Sequence, residues 1–141
     1  LLYRSGAGLT PRPLRRIASG GELSRVMLAS KVVLGNADGV DTLVFDEVDA
    51  GVGGSTARAL ASVLADLAAT HQVIVVTHLA QVAVMADKHY VVSKEPGDVP
   101  QTHLDEVAGD ARTAEIARML SGDQSEASLA HARQMLEEAR G

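Results

Sequence analysis

The stretch Asp41-Thr-Leu-Val-Phe-Asp-Glu-Val-Asp-Ala50 decides the fold class of this chain. Its centre, Thr42–Phe45, is a short apolar run that ends abruptly at Asp46-Glu47. A run of this kind predicts a strand buried on both faces, as parallel sheets require. Val73-Ile-Val-Val76 repeats the pattern and ends at Thr77-His78. The two runs therefore predict two buried strands of a parallel sheet.

Helical patterns alternate with these strands. Ser19-Gly-Gly-Glu22 fits a capping box and starts a helix that Gly35-Asn36 ends, and Ser55 or Thr56 is expected to cap the next helix. The remaining expected elements are two short strands and a turn within 1–18, a short helix over 79–86, a strand over 89–93, a hairpin within 94–110 with its second arm near 102–104, and helices over about 113–120 and 125–139. This alternation predicts an α/β fold with a parallel sheet.

Composition excludes several classes of protein. The 141 residues suit one ordinary domain, and 46% hydrophobic and 22% charged residues match globular averages. With no cysteine, a disulfide framework, a thiolate zinc site and a cysteine nucleophile are impossible. Neither a membrane-spanning run nor a signal-peptide pattern is present, so a cytoplasmic location is expected by default.

The charge is distributed unevenly. The net charge of −5 argues against a basic nucleic-acid coat. Residues 1–40 nevertheless carry +4, whereas residues 41–141 carry −9. Arg12, Arg15 and Arg16 fit either a solvated strand edge or a phosphate-facing patch, and charge alone favours the solvated edge.

Asp46 and Glu47 carry the strongest chemical signal. Ligands of open α/β sheets bind at the carboxyl ends of the strands, where these two carboxylates are expected. Asp46 is suited to hold Mg²⁺, through water, and Glu47 to orient and polarise an attacking water. The structural alternative is a strand that merely ends in an acidic turn.

Three weaker motifs accompany this pair. The helix start at Ser19–Glu22 offers unpaired N–H groups and two glycines to a phosphate, although in isolation the motif favours a plain capping box. His78 is expected at the same sheet edge as the carboxylates, suited to stabilise charge on a phosphoryl group, or else purely structural. Asp49 either has a role in the site or tightens the glycine-rich turn.

One absence limits all these hypotheses. A P-loop requires Gly-Lys followed by Ser or Thr. Lys31, Lys88 and Lys94 are the only lysines, and none of them follows a glycine. A nucleotide site that includes this chain therefore needs a second part that supplies the lysine.

Taken in order, the motifs resemble the second half of an ABC-type ATPase head. Ala18-Ser-Gly-Gly-Glu22 resembles the ABC signature, Leu43-Val-Phe-Asp-Glu47 the Walker B motif, Asp49 the D-loop aspartate and His78 the switch histidine. The wider stretches 17–25, 45–49, 77–83 and 89–95 resemble the RecN family of bacterial DNA-repair proteins, which are SMC-like ABC ATPases. The likeness extends over about residues 10–138. Glu22 stands where transport ATPases have Gln, Val48 where they have Pro, and Ala80 where family members have Pro.

The resemblance implies a role for each motif. It implies that Asp46 binds Mg²⁺ and that Glu47 and His78 serve catalysis on ATP bound by their own head. Ser19, Gly20, Gly21 and Glu22 form the signature that meets the γ-phosphate held by the opposite head. Asp49 crosses the dimer interface. The implied division is an extended opening segment over 1–18, the signature, Walker B and switch region over 19–93, and the hairpin and carboxy-terminal helices over 94–141, all in one domain.

The resemblance also implies partners. These are a Walker A-bearing amino-terminal lobe with its coiled coil, a second head in an ATP-sandwiched homodimer, and DNA through the longer protein, without a membrane. Such a protein acts in double-strand-break repair at the nucleoid, and this chain alone is expected to be inactive. The alternatives are a head lobe of another SMC-like or transport ATPase and a non-catalytic docking module.

Overall fold

The computed structural model describes residues 2–4, 7–8, 10, 12–13, 19–35, 39–95 and 101–139. These residues form two compact units, 1–77 and 78–141. The expectation of a single domain stays a prediction. The expectations for Arg15, Arg16, Ala18 and Asn36 lie outside the described residues.

The first unit holds the parallel strands. Its elements are β1 (Leu2–Tyr3), β2 (Arg12–Pro13), α1 (Gly20–Leu34), β3 (Thr42–Phe45), α2 (Gly54–Ala68) and β4 (Gln72–Val75). The short β1 and β2 pair antiparallel, as expected for this segment. Strands β3 and β4 pair in parallel, from Thr42 opposite Gln72 to Phe45 opposite Val75. The parallel sheet is confirmed for this pair.

The two faces of this strand pair differ. Leu43 and Phe45 are buried on one face. On the other face, Val44, Ile74 and Val76 are 55%, 47% and 58% exposed, and we call these three residues the open sheet face. The expectation that both strands are buried on both faces is therefore wrong for this chain. The apolar composition predicts a covering layer, but the described residues leave this face accessible to solvent.

The helices of the first unit begin and end on local chemistry. Ser19 caps α1, both bonds of the capping box are present, and α1 ends at Gly35, which has a φ of +57°. The expected cap of α2 is wrong. Gly53 is the capping residue and makes no side-chain bond, so Ser55 and Thr56 lie inside the first turn.

The second unit combines a hairpin with three helices. Its elements are α3 (Ala80–Ala83), β5 (His89–Glu95), β6 (Gln101–Val107), α4 (Gly109–Ser121) and α5 (Glu126–Glu138). Strands β5 and β6 pair antiparallel over their full length, so the hairpin is confirmed and its second arm is longer than expected. Helix α3 is shorter than expected and α4 begins four residues earlier. The early start of α4 follows from Gly109, whose φ of +54° lets the chain turn directly out of β6.

A small-residue core holds the second unit together. Its buried members are Ala80, Ala83, Val84, Ile116, Ala117, Ala132 and Leu136. Helix α5 is present as expected, with Ser125 as its cap, and Gly122 ends α4 in the left-handed conformation. Among the described residues, no helix is both long and apolar enough to cross a bilayer.

Candidate functional site

The acidic turn, residues 46–50, follows β3 directly. The side chains of Asp46 and Glu47 are exposed, whereas Val48 is fully buried and anchors the turn. Glu47 has a φ of +55°, and it is the one described non-glycine residue with a positive φ. This left-handed backbone costs about 1–2 kcal/mol in an L-residue, and such strain is concentrated at functional sites. The turn therefore presents two carboxylates to solvent at an energetic cost.

The start of α1 has the capping geometry that the sequence predicts. The Ser19 N–H donates to the Glu22 carboxylate at 2.8 Å, and the Glu22 N–H donates to the Ser19 hydroxyl at 3.3 Å. The hydrogen bond from the Ser19 backbone lowers the pKa of the Glu22 carboxyl below its ordinary value. Ser19 and Gly20 are exposed, and Gly21 is buried. The capping box is confirmed, and the contact of this helix start with a phosphate stays a prediction.

The helix start and the acidic turn pack directly against each other. A methyl group added to Gly21 would lie 2.6 Å from the Glu47 carbonyl oxygen and 2.9 Å from the Ala50 Cβ. Both distances are too short for real contacts. A methyl group added to Gly20 would meet only the end of the Glu47 side chain. The second glycine of the helix start, Gly21, is thus required by a neighbour within its own chain, whatever it contacts elsewhere.

Two side chains that the sequence analysis did not assign fix this packing. The Ser24 hydroxyl donates to the Asp46 carbonyl at 2.6 Å. The Arg25 guanidinium donates to the carbonyls of Val48 and Ala50, at 3.1 and 3.0 Å. A spacing signal points to them: Ser24, Arg25 and the buried Leu28 follow Gly21 at i+3, i+4 and i+7, on one helix face. Polar residues at core-facing positions indicate a polar partner.

Asp49 points the opposite way from its two acidic neighbours. It is 1% exposed, and Thr77 donates its hydroxyl to the Asp49 carboxylate at 2.5 Å. The Val76 N–H donates to the Phe45 carbonyl at 2.9 Å, which continues the parallel pairing one residue past β4. Asp49 and Thr77 therefore link the two segments that follow the paired strands. The sequence analysis did not assign a role to Thr77.

His78 is the first residue of the second unit. It is exposed and lies three residues after β4 in the chain. The parallel pairing on which its expected place at the sheet edge depends is present. The position of its imidazole relative to Asp46 and Glu47 stays a prediction.

The donor set suits a hard cation only in part. Within the described ranges, no group of three or more His, Asp or Glu side chains could hold a metal ion by itself. Asp46 and Glu47 nevertheless supply exposed carboxylate oxygens. Mg²⁺ takes one or two carboxylates, keeps several waters and completes its shell with substrate phosphates. The residues present fit such a shared site.

No family model matches the chain, but individual known proteins do. The DNA repair protein RecN of Deinococcus radiodurans is 54% identical over 137 residues, which are 96% of this chain and 24% of that protein. The RecN proteins of Mycobacterium leprae and Treponema pallidum are 54% and 53% identical, over 98% and 96% of this chain and 24% of each relative. The chain thus spans about a quarter of the length of these relatives.

A solved structure from a study titled "Structural biochemistry of ATP-driven dimerization and DNA stimulated activation of SMC ATPases" shares the fold. Its TM-score is 0.52 at 21% identity, over 96% of this chain and 69% of the other. The sequence relatives are RecN proteins, and the structure that shares the fold comes from a study of SMC ATPases. The chain therefore corresponds to a carboxy-terminal portion of RecN proteins and has the α/β fold of the structure solved in that study of SMC ATPases.

Proposed function

We propose that this chain supplies half of an ATP-hydrolysing site that a Walker A-bearing lobe completes. The observation that carries the proposal is the packing of the α1 start on the acidic turn. This packing builds one surface from two motifs that lie about 25 residues apart in the sequence. One side of that surface is a helix N-terminus, and the other carries two exposed carboxylates.

Phosphoryl transfer suits such a divided site. Its catalysis consists mainly of positioning and charge stabilisation, so each part has only to be held in place. On this proposal, the Asp46 carboxylate would hold Mg²⁺ through a water, and Glu47 accepts a hydrogen bond from the attacking water and orients it. Bound Mg²⁺ would supply charge neutralisation at the phosphates. His78 stabilises charge on the transferring phosphoryl group.

The start of α1 serves the other nucleotide of a head dimer. Ser19, Gly20 and Gly21 direct the helix N-terminus, with its unpaired N–H groups, toward a γ-phosphate held by the opposite head. Glu22 holds the first turn through its bond to the Ser19 N–H. The exposure of Ser19 and Gly20 supports this role, because a phosphate can approach them from solvent.

The open sheet face supports the need for a second lobe. Apolar side chains on a β-sheet are normally covered by another layer. We infer that the Walker A-bearing lobe covers Val44, Ile74 and Val76, and that without it the chain hydrolyses no ATP. The names of the relatives support a place in DNA repair. A role in recombination, with DNA contacted by the longer protein at the bacterial nucleoid, is part of the same proposal.

The test is ATP hydrolysis by this chain mixed with a Walker A-bearing lobe of the family. We expect turnover only in the mixture, and a loss of roughly 10²–10⁴-fold in Glu47→Gln, because the orienting base is gone. ATP binding should persist in that variant. Glu137→Gln, an exposed change of the same type on α5, is the matched control and should leave turnover unchanged.

Two results would contradict the proposal. Turnover by the isolated chain would show that the site is not divided. Equal turnover by Glu47→Gln and the wild type would show that Glu47 is not the base. Stable association of the lobes with no ATP hydrolysis, even with DNA added, would favour the docking-module alternative.

A further inference from the structure

We propose that Asp49 acts within its own chain, as the buried acceptor of the Thr77 hydroxyl, and that Thr77 is thereby a positioning residue for His78. This inference rests on the proposed function, because it gives His78 a task that depends on placement. It differs from the family-derived expectation that the Asp49 side chain crosses a dimer interface. The carrying observation is the hydrogen bond between a buried carboxylate and the residue that precedes His78.

The Asp49 side chain is buried and therefore needs a hydrogen-bond partner. Asp49 as a whole residue is 1% exposed in the chain by itself. A buried carboxylate is costly unless hydrogen bonds replace its lost water. Thr77 provides such a bond, because its hydroxyl donates to the Asp49 carboxyl group. Asp49 thus has a local reason to be acidic and to point inward.

Thr77 lies between the end of the β3–β4 pairing and His78. The backbone pairing of β3 with β4 extends as far as the bond from the Val76 N–H to the Phe45 carbonyl. Thr77 comes next, and its side chain continues the link to the acidic turn by bonding Asp49. His78 follows directly in the sequence. The hydroxyl of Thr77 therefore restrains the backbone from which the His78 imidazole extends.

The residues of the acidic turn that lie beside Asp49 are also held in place. Val48, the residue before Asp49, is fully buried, and its carbonyl accepts from Arg25. The carbonyl of Asp49 accepts from the Val52 N–H at 3.0 Å. Because its neighbours are held in this way, the backbone at Asp49 is fixed in its position. For its carboxylate to meet a second head, the turn would have to break the bond to Thr77 and expose the side chain.

The test compares Thr77→Val with Thr77→Ser in the complex of this chain with a Walker A-bearing lobe. Valine keeps the shape of threonine and removes the hydroxyl, whereas serine keeps the hydroxyl. We expect Thr77→Val to lower kcat by roughly 10- to 100-fold, with the KM for ATP within about twofold. Thr77→Ser should restore most of the turnover. In a His78→Ala background, Thr77→Val should cause no further loss, because both changes remove the same contribution.

Asp49→Asn separates the two roles of Asp49. The amide oxygen of asparagine still accepts from Thr77, so most turnover should remain if Asp49 acts internally. Loss of head association and turnover in Asp49→Asn, with Thr77→Val unaffected, would overturn the proposal. So would an equal loss from Thr77→Val in the wild-type and His78→Ala backgrounds.

A measurement that needs no activity completes the test. Amide hydrogen exchange of the peptide covering residues 76–83 should be at least about tenfold faster in Thr77→Val and unchanged in Thr77→Ser. If Thr77→Val fails to fold, the comparison of Asp49→Asn with Asp49→Leu, which cannot accept, replaces it. If the wild-type complex shows no ATP turnover that depends on Glu47, the proposed function is refuted. The hydrogen-exchange result would still decide the role of Thr77. Unchanged exchange in every variant would refute that role.

Discussion

The acidic turn and the open sheet face lie on the same strand pair, yet the chain holds them very differently. Polar groups from two other segments fix the acidic turn: Ser24 and Arg25 of α1, and Thr77 after β4. The open sheet face has apolar side chains that remain about half exposed. Within the described ranges, the chain supplies the hydrogen bonds that fix the turn but no layer that covers the open sheet face. The difference indicates that hydrogen bonds stabilise the acidic turn, whereas the open sheet face contributes little to the stability of this chain. Mutations in the two regions can test this difference.

The largest contrast is expected between the two faces of β3. Phe45 is fully buried, so Phe45→Ala should lower the free energy of unfolding by about 3–5 kcal/mol. Val44→Ala, on the open sheet face, should cost less than about 1 kcal/mol, because its side chain is mostly in solvent already. Urea denaturation of the isolated chain measures both. Equal costs would show that the open sheet face is covered in solution, for instance by a second copy.

The next contrast is between the two adjacent glycines of the helix start. Gly21→Ala should destabilise the chain by about 1–3 kcal/mol, because its Cβ meets the backbone of the acidic turn. Gly20→Ala is the control, since its Cβ meets only the movable end of the Glu47 side chain. Thermal unfolding of both variants measures the difference. If Gly21→Ala proved as stable as Gly20→Ala, the acidic turn would be able to shift away from the added methyl group at little cost in free energy.

A smaller effect is expected from Arg25. Arg25→Met keeps most of the apolar length of the side chain but leaves the carbonyls of Val48 and Ala50 without this donor. We expect a loss of about 1–2 kcal/mol in unfolding free energy. Arg58→Met, an exposed change on α2, is the matched control. The idea that α1 braces the turn fails if the two variants unfold alike.

The smallest expected effect concerns an exposed carboxylate, in contrast to the buried Asp49. Hydrogen bonds from Ser128, Ser125 and Ser121 lower the pKa of Asp123 from 3.8 to about 2. Because the folded state favours the charged form, this stabilisation is complete above the unfolded pKa and is lost as the pH falls toward about 2. Asp123→Asn should therefore weaken the acid sensitivity of unfolding between about pH 5 and pH 2.

Thermal melts at the two pH values measure this change. Asp110→Asn, in the first turn of α4, is the control. Equal acid sensitivity in Asp123→Asn and the wild type would contradict the contribution of the serine network.

Features determined by neighbouring residues were predictable from the sequence. The bounds of β3 and the capping box of α1 depend on residues within a few positions, and both are confirmed. The expected cap of α2, Ser55 or Thr56, was wrong because the helix begins earlier, directly after Gly53, without any side-chain cap. Local chemistry thus predicts that an element exists better than it predicts where it begins.

Features that depend on distant partners were missed. Ser24, Arg25 and Thr77 bond groups 22 to 28 residues away. Helical spacing marks Ser24 and Arg25 as facing the core, but no local pattern identifies the partners of any of the three. The exposure of Val44 likewise depends on what packs over it, and apolar composition reports only a preference for burial. The individual roles of Asp46, Glu47 and His78 stay predictions, since chemistry on a nucleotide is a property of the completed site.

The left-handed backbone of Glu47 places a trade-off between stability and activity at one position. Glycine adopts this conformation without penalty, and asparagine does so with little, whereas β-branched residues are nearly excluded. Selection for stability alone would thus replace Glu47 by glycine, and selection for the proposed chemistry would keep the carboxylate. A library randomised at position 47 and sorted once for folding and once for turnover should return different residues from the two sorts.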